Sequence, residues 1–411
     1  MLRISFTYQI HSELKLMIIE MPDKIKELKN NKLLKLGGFT TMKNFGFGCM
    51  RLPMEPGANW MNGNVDLEQF TRMVDTFLEN GFTYFDTAHS YIGGKSETAI
   101  RKCLVERYPR DRYILADKLT ESFFQKEEDI LPVFADQLKK TGVEYIDYYL
   151  MHAMTSGHYK KFTRCNAFEV VRKLKSEGKI KHLGISFHDK AAVLETILSE
   201  QPEIEVVQIQ FNYVDYDDPG VESGAVYEVC RKFGKPVIVM EPLKGGGLAN
   251  LPVEANKVFD SLNGGSCASY ANRYAAGFEG VMIVLSGMSA YEQLEDNISY
   301  MNDFVPLTRA ELDAVAKVRD IFKKQELIPC TACRYCTDGC PKQIAIPDLL
   351  SCMNAKKQYK DWNSDFYYMV HTTNSGKASD CIQCGKCEQS CPQHLDIRKL
   401  LDNVVSVFEK R

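Results

Sequence analysis

The sequence predicts an α/β protein: a closed (β/α)8 TIM barrel followed by a small helical unit built around metal. Three observations predict it. From residue 43 to about 300, short β-rich runs alternate with amphipathic stretches, the pattern of parallel β/α units. Eight such units fall within about 250 residues, the size of a closed barrel. A repeated cysteine run begins only after that alternation has ended.

The candidate strands are 45–50, 83–87, 113–118, 146–152, 182–187, 206–212, 236–243 and 281–287. Amphipathic stretches at 67–80, 97–108, 168–177 and 226–233 lie between them and give the helical layer. A doubly wound sheet is the runner-up, but no strand is followed by a G-x-G-x-x-G turn. At 308–326, Thr308 and Glu311 form a capping box, and Leu312, Val315, Val318 and Phe322 share one apolar face. This predicts a helix that seals the barrel and delivers the chain to Cys330. The expected division is therefore an arm at 1–41, a barrel at 42–306, a linking helix at 307–328 and the small unit at 329–411.

The arm is unlike the rest. It has a Lys- and Asn-rich stretch at 24–35 and no partner for its few apolar residues. One reading is a mobile amphipathic arm. The other is an over-extended gene start, because Leu36-Gly37-Gly38 can be encoded by a ribosome-binding sequence and Met42 follows at a suitable distance.

Composition excludes several classes. With 51 Lys and Arg against 54 Asp and Glu, the net charge is −3, which gives no electrostatic case for nucleic acid. No apolar run reaches membrane-spanning length, and 281–285 is a buried strand. The N-terminus shows no apolar core followed by a cleavage site, so a cytoplasmic location is expected.

Eight of the 14 cysteines form two copies of one run. The first is Cys330, Cys333, Cys336 and Cys340, closed by Pro341; the second is Cys381, Cys384, Cys387 and Cys391, closed by Pro392. This C-x2-C-x2-C-x3-C-P spacing wraps thiolates round a cubane [4Fe–4S] cluster, and the fourth cysteine of each run usually serves the other cluster. Each run leads into a helical pattern, so the pair predicts a helical ferredoxin-like module with two clusters. Structural zinc usually separates two short cysteine pairs by a longer loop, and disulfides do not suit a cytosolic chain. Cys49, Cys103, Cys165, Cys230, Cys267 and Cys352 are scattered and expected to stay reduced, Cys352 as a small core residue. Trp362, Phe366, Tyr367 and Tyr368, between the runs, are expected to pack around the clusters.

In the barrel region, strand after strand ends in a reactive group: Asp86, Lys118, His152, Ser186, Gln208 and Ser286. Catalytic groups of this fold gather at the C-terminal strand ends. The stretches Gly46–Pro53 and Tyr84–Tyr91, then Lys118, Asp147–His152, Gly184–Ser186 and Val207–Gln208, together resemble the aldo-keto reductase superfamily. With the cysteine repeat behind them, the resemblance is to its iron–sulfur branch. It implies a tetrad of Asp86, Tyr91, Lys118 and His152. A carbonyl accepting hydride develops negative charge on oxygen, and a proton donor beside it lowers the barrier. Tyr91 is that donor in reduction and the base in oxidation. A buried Lys118 ammonium is expected to pull the phenol down from its usual value near 10, Asp86 to hold the lysine, and His152 to orient the substrate oxygen. His89 and His188 also face the expected pocket.

The resemblance further implies a nicotinamide cofactor, NADH or NADPH. Ser186 and Gln208 stand where the family holds the carboxamide, although Phe187 and His188 replace the usual asparagine. Met240 stands where many relatives stack an aromatic ring. Leu243, Lys244 and Gly245 begin a loop whose backbone amides and lysine could meet the pyrophosphate. Ser286, Gly287 and Ser289, with Gln293 and Asn297, resemble the adenosine-binding segment, without its basic residue for a 2′-phosphate.

These features favour an oxidoreductase acting on a small carbonyl or alcohol, the clusters exchanging electrons with a ferredoxin or flavoprotein partner. The alternative is an electron-transfer protein whose barrel is mainly a docking scaffold; a third reading makes the clusters structural. Nicotinamide gives two electrons together and each cluster passes one, so the two halves need a mediator or separate roles.

Overall fold

The computed structural model describes residues 42–58, 63–218, 221–262, 264–324, 326–359, 363–373 and 375–409. The arm, and the two readings of it, lie outside these residues, as does Trp362, and the side chain of Phe366 is not among those described.

Eight parallel strands close into one barrel in chain order: β1 (Phe45–Gly48), β2 (Tyr84–Asp86), β3 (Ile114–Leu119), β4 (Ile146–Met154), β5 (Ile180–Phe187), β6 (Val206–Gln210), β7 (Val237–Met240) and β8 (Val281–Gly287). Each runs near its expected span; β1, β2, β6 and β7 end earlier, β3 and β4 run on by one or two residues, and β5 and β8 end where expected. β1 pairs with both β2 and β8, which leaves no edge.

Alternation along the strands builds two layers. Outward residues pack on the helices. Phe45 and Phe47 of β1 and Phe85 of β2 meet Phe77 of the helix Leu67–Glu79, with Phe82 alongside, at ring separations of 5.1–6.1 Å. All five are fully buried, and burying such a side chain is worth about 1.5–3 kcal/mol. The helix itself starts on a cap, the Asp66 side chain accepting from Gln69 N at 2.9 Å.

Inward residues fill the barrel with Tyr84, Ile114, Ala116, Leu150, Val206, Ile238, Met282, Ile283 and Leu285. One step further along the same inward parity the character changes. Asp86, Lys118, His152, Ser186 and Gln208 follow Tyr84, Ala116, Leu150, Gly184 and Val206. The barrel is thus apolar below and polar at its C-terminal mouth. Ser286 does not join that ring: it sits in register with the outward-facing Phe47 and accepts a hydrogen bond from Asn297 Nδ2 at 3.0 Å.

The helix Arg309–Lys324 follows its predicted capping box, with Thr308 N donating to Glu311 Oε2 at 2.7 Å. Val315 and Val318 are buried against Tyr213, Leu248 and Phe259, but Leu312 is 36% exposed and departs from the expected face.

The C-terminal module has its own core, in which Ile344, Ile346, Leu349, Leu350, Ile397, Leu401 and Val404 surround Cys336, Cys387 and Cys391. Cys352 belongs to this core, as expected. Tyr368 stacks on Phe408 at 4.8 Å, whereas Tyr367 is 55% exposed and packs no core. The repeat seen in the sequence recurs in the backbone. Left-handed Ala332, Arg334 and Gln343 of the first half match Gln383, Gly385 and His394 of the second. Arg334 bears that conformation without being glycine, its guanidinium gripping Asp348 through two 2.6 Å bonds.

Candidate functional site

The barrel mouth brings the four tetrad residues together. Lys118, with no exposed surface, donates from Nζ to Asp86 Oδ1 at 2.5 Å, Thr87 O at 2.8 Å and Tyr91 Oη at 3.2 Å. All three ammonium protons are therefore used. Asp86 is held from its other oxygen by Gln208 Nε2 at 2.9 Å. Gln208 thus anchors the aspartate.

Tyr91 reaches this position because β2 ends in a tight turn in which Ile92, Gly93 and Gly94 all have positive φ. Two of those positions are glycine, the residue that adopts this conformation without steric cost.

Burial, and secondarily the Asp86 carboxylate, push the Tyr91 phenol well above its ordinary value; a hydrogen bond with Tyr335 pulls it back. The expected lowering by Lys118 does not prevail, because desolvation of a buried phenolate outweighs one neighbouring ammonium already paired with Asp86. Tyr91 is therefore protonated at neutral pH. His152 is held well below its usual range by burial and then by Lys118, so its ring is neutral. Its Nδ1 bonds Thr120 Oγ1 at 2.7 Å and its Nε2 lies 3.3 Å from Tyr335 Oη. Beyond it, Ala153 takes a left-handed conformation (φ 52) that turns its N–H to Ser186 Oγ at 2.8 Å.

His188 is half-buried, packs against the Tyr335 ring at 6.4 Å, and has two ring nitrogens buried without any partner. A buried polar atom left unpaired costs about 1–3 kcal/mol. His89 turns away from the mouth, with Nδ1 3.1 Å from both Glu97 carboxylate oxygens.

The residues expected to contact nicotinamide are largely engaged with one another. Ser186 and Gln208 are satisfied as above. The Gly245 N–H donates to Glu241 Oε2 at 2.6 Å, and Ser289 N donates to Gln293 Oε1 at 2.8 Å. Lys244, far from offering its charge to a pyrophosphate, is buried in an ion pair with Asp215. Met240 ends β7 half-buried, Leu243 packs beside the Leu248 core, and Gly287 is exposed at the end of β8. The first cysteine run also covers the loop: a Cβ at Gly245 would lie 2.5 Å from Thr331 O, and Arg51 Nη2 donates to that same carbonyl at 2.7 Å.

The cluster cysteines, in contrast, gather as the spacing predicts. One pocket is lined by Cys330, Cys333, Cys336 and Cys391, and a second by Cys340, Cys381, Cys384 and Cys387. Each takes three cysteines from one run and the fourth from the other, the exchange known for two-cluster ferredoxins. Apolar side chains close both: Ile346, Leu350 and Ile397 in the first, Ile344, Ile382 and Leu401 in the second. This donor set fits a cubane cluster. Among the described residues no three His, Cys, Asp or Glu side chains converge on a single-ion site. In the second cage Cys384 is exposed, whereas in the first Cys336 and Cys391 are buried.

Sequence reasoning missed the residues that join the two domains. Tyr335, between Cys333 and Cys336, enters the tetrad. Gln393, just past Cys391, exchanges amide bonds with Gln210 of β6 at 2.7 and 3.1 Å. Spacing constrains the cysteines but leaves the residues between them open, so no signal marked either one.

Residues 44–320 match the model of the aldo/keto reductase family and residues 329–395 that of the 4Fe-4S dicluster domain. The NADH-specific methylglyoxal reductase of Escherichia coli (strain K12) is 26% identical over 310 residues, covering 64% of this chain and 90% of the relative. The holo form of an aldo-keto reductase from Bacillus halodurans aligns with a TM-score of 0.56 at 24% identity, over 68% of this chain and 93% of that one. One from Klebsiella pneumoniae, in complex with NADPH, aligns with a TM-score of 0.55 at 18% identity, over 69% and 92%. Among the described residues no helix is long and apolar enough to cross a membrane. The chain belongs to the aldo/keto reductase family, and it is an oxidoreductase of that type carrying a 4Fe-4S domain.

Proposed function

We propose that this protein interconverts a small carbonyl compound and its alcohol at the barrel mouth, with two [4Fe–4S] clusters passing electrons in the C-terminal module. The observation that carries it is the Asp86–Lys118–Tyr91 chain of hydrogen bonds with His152 beside it. Tyr91, protonated and held by Lys118, delivers its proton to the developing alkoxide; the Lys118 charge stabilises the phenolate left behind. Asp86 keeps Lys118 charged and fixed. Neutral His152, anchored through Nδ1 by Thr120, offers Nε2 to the substrate oxygen and sets its direction.

Cys340, Cys381, Cys384 and Cys387 would hold the cluster nearer the surface, since Cys384 is exposed, and Cys330, Cys333, Cys336 and Cys391 the one whose loop touches the tetrad; each would supply one-electron chemistry there. A ferredoxin or flavoprotein, each able to give single electrons, suits that chemistry. Family membership and the nicotinamide-linked relatives favour NADH or NADPH as a hydride source, which supplies both electrons together.

The test is turnover of cluster-loaded protein, free of oxygen, on a panel of small aldehydes and ketones. NADH, NADPH and titanium(III) citrate serve in turn as reductant. Alcohol formation with at least one of them is expected. Failure of all three across the panel would leave the docking-scaffold reading in its place.

A further inference from the structure

We propose that Tyr335 is a specificity-determining residue of the catalytic centre, its hydroxyl holding the place of the substrate's carbonyl oxygen until the substrate displaces it. This rests on the proposed role of Tyr91 and extends it to the cluster module.

The side chain comes from the first cysteine run, yet it points into the barrel mouth. Its hydroxyl lies 3.3 Å from His152 Nε2, and Tyr335 is the polar neighbour that pulls the Tyr91 phenol back down. Those are the two groups that would receive a carbonyl oxygen, so Tyr335 Oη stands where that oxygen must be. Its ring lies edge-on to His152 at 6.0 Å and to His188 at 6.4 Å, so the phenol fills the space between the two imidazoles' faces and the Tyr91 side. A substrate can therefore bind only as the phenol leaves.

The closed arrangement also leaves a polar group unsatisfied. The His188 ring meets that of Tyr335, and both its nitrogens are buried with no partner among the described residues. A ligand that replaces the phenol and carries a second oxygen beside its carbonyl would supply one. The substrate class that fits is a small hydroxy- or oxo-carbonyl compound.

Displacement has a consequence for the module. Tyr335 sits between two ligating cysteines, and Thr331 on the same loop lies on Gly245 and Arg51. Moving the phenol moves the wall of the cage formed by Cys330, Cys333, Cys336 and Cys391. Occupancy of the catalytic centre is thereby transmitted to that cage.

The test uses the full, cluster-loaded chain and hydroxyacetone as the probe, in wild type and Tyr335→Phe. The variant keeps the ring and loses the hydroxyl bonds that hold it in place. KM for hydroxyacetone is expected to fall roughly tenfold, a larger change than in kcat. Without turnover, in protein reduced by titanium(III), hydroxyacetone is expected to alter the paramagnetic signal of one cluster only. Half-saturation in the variant should lie roughly tenfold lower than in wild type. Iron content equal to wild type shows that the variant has folded. Unchanged KM and unchanged half-saturation would overturn the proposal, as would a collapse of kcat at constant KM, which would make Tyr335 a proton donor. A spectral response without any turnover would support Tyr335 and count against the proposed reaction.

Discussion

The barrel and the cluster module solve the same problem by different means. The barrel buries a continuous apolar core, from the phenylalanine cluster around Phe77 to the inner stack of Tyr84, Leu150 and Ile238. Its buried charges come in compensated sets, such as Lys118 with Asp86 and Lys244 with Asp215. The module has a core of few residues, and three cysteines of the two runs, Cys336, Cys387 and Cys391, sit at its margin. Small domains that cannot bury enough apolar surface rely on metal or covalent links. The difference teaches where each part is fragile: the barrel fails by loss of a charge partner, the module by loss of a thiolate.

The sharpest way to break this contrast is Cys391→Ser. It lies in the second run but lines the cage of the first, so the variant should lose the first cluster and keep the second. Iron content is expected to drop by about half, with the module's melting transition lowered or lost and the barrel's circular dichroism retained. Loss of the second cluster instead would show that each run serves its own cluster.

Lys118→Met attacks the barrel in its own terms. Asp86 would be left as an uncompensated buried charge, at a cost of about 3–5 kcal/mol in chemical denaturation. The iron content should not change. If iron is lost as well, the two parts are not independent.

A pH effect follows from a second buried site behind β3. Burial raises the Glu97 carboxyl from 4.5 to about 7, and the neighbouring Asp117 is pushed up as well. The raised value means that folding favours the protonated acid. Its contribution is full below pH about 4.5 and is lost as pH rises to about 7, for about 3 kcal/mol in all. Glu97→Gln should flatten stability across that window and stabilise the barrel at pH 8, measured by denaturant titration.

The smallest effect is expected at the seam. Gln393→Ala removes both amide bonds to Gln210 and should weaken docking of the module by about 1–2 kcal/mol. Faster hydrogen exchange at 391–395 and at the end of β6 would register it.

Much of this architecture is legible in the sequence, for physical reasons that differ by region. The strands are visible because alternation and β-branched runs report burial on both faces, and β8 even matches its expected ends at Val281 and Gly287. Asp86, Lys118 and His152 are visible because strand-end position converts sequence order into spatial convergence, whereas Tyr91, five residues beyond the end of β2, enters only through the family resemblance. Ser286 misled because its position at a strand end says nothing of parity, which is fixed by pairing with Phe47. Lys244 misled because a lysine that opens a glycine-rich loop looks available until its buried pairing with Asp215 is seen. Tyr335 and Gln393 could not be found at all: their partners lie on distant strands, and only docking of the two domains brings them together.

The measurement closest to the central claim is carbonyl turnover by cluster-loaded Tyr91→Phe, with reduction of the clusters by titanium(III) followed in the same sample. The account predicts a loss of about 10²–10⁴-fold in carbonyl reduction and unchanged cluster reduction. Full carbonyl turnover in that variant would contradict it.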